Sequence, residues 1–118
     1  MNSSETAFTT VMQRIERAAA QQKTVARLLA VSKTKPAGAV RALAALGQRA
    51  FGENYVQEGV AKRAELADLA LEWHMIGPLQ SNKCRDVAEH FDWLQTLDRE
   101  KLVEPLARWR TAGAAPLN

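Results

Sequence analysis

A chain of 118 residues, 47% hydrophobic and 25% charged, is long enough for one domain with its own core and too short for two ordinary ones. Its net charge of +3 comes from 16 Lys and Arg scattered among 13 Asp and Glu, without the basic stripe and interleaved aromatics that nucleic acid binding requires. The single cysteine, Cys84, excludes an internal disulfide; with no apolar stretch of membrane-spanning length and no leader-like start, a cytoplasmic protein is expected.

In residues 4–22, Phe8, Val11, Met12, Ile15 and Ala19 recur at helical spacing, with Ser3 or Ser4 placed to cap the first turn. Beyond this helix, short and nearly continuous apolar runs alternate with longer amphipathic stretches, the pattern of parallel strands joined by crossover helices. The runs are 27–32, 49–52, 71–76 and 93–96. Helices are expected over 36–46, with Pro36 near its start and Gly47 past its end, over 54–69, over 81–91, and from a cap at Asp98 to about Arg110. The repeat of one strand every 20 or so residues is that of α/β barrels and doubly wound sheets. Residues 111–116 read as a loop, and Leu117-Asn118 as the first residues of a further strand. One leading helix and about four β-α units amount to half of a TIM-type (β/α) barrel, expected here as a single unit over residues 1–118.

Ligands of parallel β/α folds gather at the carboxyl ends of the strands. The polar residues there are Ser32 to Lys35, Glu53-Asn54-Tyr55, His74 with residues 77–83, and Thr96 to Asp98. An amine leaving an apolar strand end, as Lys33 does, is expected to be partly desolvated. Lys35, on the same side if the strand continues, would further disfavour its charge, and both effects suit a nucleophilic amine. The competing reading makes both lysines solvated strand-end residues. Asn54 also suits a helix cap, and His74 a satisfied histidine on a buried strand. Residues 77–83 read as a plain β-α loop capped by Ser81 more readily than as an anion cradle. His90 suits a helix C-terminus, Cys84 has no partnering motif, and Trp73, Trp93 and Trp109 read as packing groups.

Three ordered motifs are more specific: Ala30-Val31-Ser32-Lys33-Thr34-Lys35-Pro36, Phe51-Gly52-Glu53-Asn54-Tyr55-Val56-Gln57-Glu58, and Glu72-Trp73-His74-Met75-Ile76-Gly77-Pro78-Leu79-Gln80-Ser81-Asn82-Lys83. Together they resemble the pyridoxal phosphate homeostasis protein family. The resemblance implies an α/β fold like the alanine racemase N-terminal domain, with pyridoxal 5'-phosphate (PLP) held as a Schiff base on Lys33. Asn54 and His74 would line the cofactor pocket, and Lys35 matches a second family lysine. It further implies a non-catalytic carrier that buffers PLP and hands it to PLP-dependent apo-enzymes. In that family the later strands hold the phosphate and face the pyridine nitrogen, and this sequence does not contain them, so the covalent anchor is expected without most of its non-covalent partners. Two alternatives stand beside this. One is a PLP enzyme of the amino-acid racemase type, which Thr34-Lys35-Pro36 after the lysine argues against. The other is a truncated half barrel with no cofactor function whose open sheet edges associate with another copy.

Overall fold

The computed structural model describes residues 3–118 except the side chain of Ser4, so the expected cap at Ser4 lies outside the described residues. The elements follow the expected order: α1 (Ser3–Gln22), β1 (Ala30–Val31), α2 (Ala37–Ala45), β2 (Ala50–Glu53), α3 (Val56–Glu65), β3 (Glu72–Met75), α4 (Cys84–His90), β4 (Trp93–Leu94) and α5 (Val103–Trp109). Single 3₁₀ turns, Ser81–Lys83 and Glu100–Leu102, lead into α4 and α5.

All four strands are parallel and adjacent in chain order. Right-handed crossovers between such neighbours put the connecting helices on one face of the sheet. The register aligns Ala30 with Phe51 and Trp73, and Val31 with Gly52, His74 and Trp93. Since side chains alternate along a strand, the first row and the second point to opposite faces. Phe51, Trp73 and Met75 enter a buried core with Val40, Leu66, Val87 and Phe91. The other row is open at its ends, with Val31 54% and Trp93 37% exposed, while Gly52 and His74 between them are buried. The helix-facing apolar row carries the folding energy, at about 1.5–3 kcal/mol for each large side chain buried.

The outer strands are shorter than their apolar runs. Gln48, buried, donates its side-chain amide to the Leu28 and Ala50 carbonyls, both at 2.8 Å, so Leu28 bonds to a side chain instead of a ladder. On the free edge of β4, Asn118 N–H donates to Asp92 O at 3.1 Å and Leu94 N–H to Asn118 O at 2.7 Å, the spacing of a parallel bridge. Asn118 thus makes the first bridge of the further strand expected at Leu117-Asn118, though no strand forms there.

Helix ends differ more from expectation than helix bodies. Gly47, at φ +106°, follows the end of α2, and the bonds Gly47 N to Ala44 O and Gln48 N to Leu43 O form a Schellman motif. None of the three side-chain caps forms. Tyr55, not Asn54, precedes α3, because Ile76 N–H donating to Glu53 O keeps the chain extended past β2. Gln80, not Ser81, precedes the turn into α4. Asp98 pairs with the Arg99 side chain at 3.3 Å and leaves the last turn uncapped. Of the tryptophans only Trp73 is core, stacked obliquely on Phe51; Trp93 stays half open and Trp109, 38% exposed, lies under Arg85.

Candidate functional site

β1 delivers the chain into a four-residue turn, Ser32 to Lys35, closed by Lys35 N–H donating to Ser32 O at 3.1 Å. Thr34 at its third position has φ +62°, the left-handed conformation that a type II turn requires there and that glycine or asparagine adopts more readily. Strand geometry thus stops at Lys33, and the condition for Lys33 and Lys35 to share a side is not met. Lys35 instead lines a small cavity of about 50 Å³ with Val31, Ser32, Val40, Leu43 and Phe51.

The turn is held from α3. The buried Lys62 ammonium donates to Ser32 O at 2.5 Å, to both Glu53 carboxylate oxygens at 2.9 and 3.2 Å, and to Glu58 Oε1 at 2.8 Å. Ser32 Oγ donates to Glu53 Oε2, and Thr34 N–H to Glu58 Oε1 at 2.5 Å. Glu53 is fully buried, and Lys62 satisfies it. The hydrogen bond from Lys62 pulls the Glu58 carboxyl below the ordinary carboxylate range; burial opposes this and the Thr34 N–H adds to it. Lys33 itself is exposed and has no hydrogen bond or ion pair among the described residues, so the expected desolvation is absent.

Asn54 leaves β2 as Lys33 leaves β1, and the pairing of Val31 with Gly52 puts both at the same level of the carboxyl edge. Asn54 is half-buried with an unbonded side chain, and lines a cavity of about 320 Å³ with Tyr55, Gln57, Pro78, Gln80 and Lys83. Neither Lys33 nor His74 lines that cavity. His74, paired with Gly52, sits one step below the edge. Its Nε2 meets Glu72 Oε1 at 2.6 Å and its Nδ1 accepts from Gln95 Nε2 at 2.8 Å. Its ring stacks on Trp93, centroids 5.2 Å apart. The His74 hydrogen bond lowers the Glu72 carboxyl, with Arg27 contributing and burial opposing. Both nitrogens are therefore occupied, as in a satisfied core histidine.

The loop over residues 77–83 spends its carbonyls on packing. Gly77 O accepts from Thr96 Oγ1 at 2.5 Å, and Leu79 O from Arg99. Burial raises the Cys84 thiol, which Arg99 partly offsets, and an inert structural thiol results. Among the described residues no three His, Cys, Asp or Glu side chains form a metal site, and no helix is long and apolar enough to cross a membrane.

A parallel sheet with helices on one face and a lysine-bearing turn at its carboxyl edge defines an α/β protein built as part of a (β/α) barrel. Residues 6–118 match the N-terminal domain family of alanine racemase, and the chain belongs to that family. It is 57% identical over 101 residues to the pyridoxal phosphate homeostasis protein of Pseudomonas aeruginosa, covering 86% of this chain and 44% of that one. The protein of the same name from Haemophilus influenzae is 54% identical over 113 residues, covering 92% and 48%. The solved structure of PipY from Synechococcus elongatus, with PLP bound, superposes with a TM-score of 0.68 at 50% identity, covering 80% of this chain and 47% of that one. The chain spans about half the length of the curated relatives it matches. These relatives bear out the family likeness read from the three motifs.

Sequence reasoning missed the group that shapes the turn. Ser32 and Glu53 stood among the strand-end polar residues without a role, and Lys62 was not singled out. The available signal was Glu58 and Lys62 four residues apart on one helix face, with a carboxylate ending the preceding strand.

Proposed function

We propose that this chain is the N-terminal half of a PLP-binding (β/α) barrel, carries the cofactor covalently on Lys33, and serves PLP homeostasis without turnover of its own. The observation that carries the reading is the free, exposed Lys33 amine on a clamped turn at the carboxyl edge of the sheet. Support comes from the 50% identity to a protein solved with PLP bound.

When bound, the cofactor supplies an aldehyde that condenses with a primary amine and releases water. The residues fit that requirement. Lys33 offers an amine free of any carboxylate partner, and Asn54, at the same level on the neighbouring strand, offers an unbonded amide. His74, buried and with no free nitrogen, stacks its ring on Trp93 on the sheet face opposite the helices. On this reading the protein works in the cytoplasm and passes PLP to apo-enzymes, and its open sheet edges favour association with a second copy.

The test is incubation with PLP, borohydride reduction and peptide mapping. The expected result is a pyridoxyl group on Lys33 and its loss in Lys33→Ala. Labelling spread evenly over exposed lysines, unchanged in Lys33→Ala, would overturn the assignment. Racemisation of an amino acid by the loaded protein would overturn the non-catalytic part.

A further inference from the structure

We propose that Glu58 and Lys62 are positioning residues for Lys33, with Glu58 setting the backbone of the turn and thereby how readily the Lys33 amine captures an aldehyde. The proposal rests on the reading that Lys33 carries the cofactor.

Three bonds converge on the residues either side of Lys33. Ser32, before it, is held through its hydroxyl by Glu53 and through its carbonyl by Lys62. Thr34, after it, is held through its N–H by Glu58. Lys33 alone is unbonded, so its backbone is fixed at both ends while its side chain stays free. A turn with a threonine at φ +62° is not one the local sequence favours unaided, because a β-branched residue is disfavoured in the left-handed region. The Glu58 carboxylate accepting the Thr34 N–H is the contact that holds that conformation, and Lys62 holds Glu58 in place at i,i+4 spacing.

The parts of the group differ in what they can reveal. Glu53 and Lys62 are buried together, and removing either leaves a buried charge that threatens the fold. Glu58 stands at the rim, with its side chain 30% exposed, so its loss can be tolerated. The charge on Glu58 is not what the Thr34 N–H needs. A glutamine there retains an acceptor oxygen at the same reach, whereas an alanine does not.

Two measurements on wild type, Glu58→Ala and Glu58→Gln test the idea. The first is amide hydrogen exchange at Thr34, with the amides of β2 and β3 as the internal check on folding. The second is the yield of borohydride-trapped pyridoxyl-Lys33 at limiting PLP. The expected result is a Thr34 amide that exchanges at least about tenfold faster in Glu58→Ala while sheet amides are unchanged, with trapping at Lys33 reduced several-fold. Glu58→Gln should restore most of both. Thr34 exchange indifferent to residue 58, or equal trapping in wild type and Glu58→Ala, overturns the proposal. Absence of trapping even in wild type overturns the cofactor reading instead, and Thr34 exchange still decides whether the clamp exists.

Discussion

A β-carbon on Gly77 would stand 2.1 Å from the Asn54 carbonyl oxygen, so the loops leaving β2 and β3 cross where only glycine fits. Gly77→Ala must push backbone off backbone, at a cost of about 1–3 kcal/mol. Gly38, in α2, has nothing within 4 Å of its would-be side chain. Gly38→Ala should stabilise by about 0.4–1 kcal/mol through reduced freedom of the unfolded chain. Urea unfolding should therefore shift in opposite directions for the two variants, and shifts of the same sign would refute the crossing.

Cys84 should be silent toward thiol reagents in the native state. It is almost wholly buried, burial raises its thiol above the ordinary range with Arg99 partly offsetting this, and its sulfur lies 3.9 Å from the Gln80 carbonyl. Labelling by a disulfide reagent should be slow under native conditions and become fast in urea, in step with the loss of structure. Rapid native labelling would mean that α4 opens locally.

The order of strands and helices was legible because a parallel strand covered by helices leaves a continuous apolar run, and a helix leaves a 3.6-residue period. The ends were not. Asn54 is a suitable cap by type, but the ladder bond from Ile76 to Glu53 carries the chain past it before α3 begins. Trp93 reads as core from its apolar neighbours, yet it points to the face opposite the helices and covers His74 instead. At the proposed site, the placement of Lys33 and Asn54 at the carboxyl edge of the sheet follows from strand-end logic. The lysine's supporting group does not, because a lysine at helical spacing ordinarily reads as solvated. Only the fold reveals that Lys62 lies over the buried end of β2.

Acid should erode the stability that the Glu58–Lys62 pair contributes. The folded state holds the Glu58 carboxyl below its ordinary value of 4.5, chiefly through the Lys62 hydrogen bond. A depressed carboxyl contributes stability that is complete above the unfolded value and fades as pH falls through the folded one. The advantage of wild type over Glu58→Gln, about 1 kcal/mol at neutral pH, should therefore shrink on acidification below the ordinary carboxylate value. Paired urea titrations across that range measure it, and a difference that stays constant or grows toward acid would count against the pairing.

The strongest stability effect is expected where Lys62 Nζ meets Glu53 Oε1 at 2.9 Å, with side-chain exposures of 7% and 0%. Lys62→Ala leaves the Glu53 carboxylate buried with the Ser32 hydroxyl as its remaining partner, and the Ser32 carbonyl keeps only the Lys35 N–H of its two donors. Removing one member of a buried pair costs about 3–5 kcal/mol, most of it the penalty of the charge left behind. Replacing both, as Lys62→Met with Glu53→Gln, removes that penalty along with the pair. The loss in the double variant should therefore fall well short of the sum of the losses in Lys62→Met and Glu53→Gln made singly, with a coupling of about 1–3 kcal/mol in the cycle. Additive losses would show that the two side chains act independently, and that the tie from α3 to the Lys33 turn is carried elsewhere.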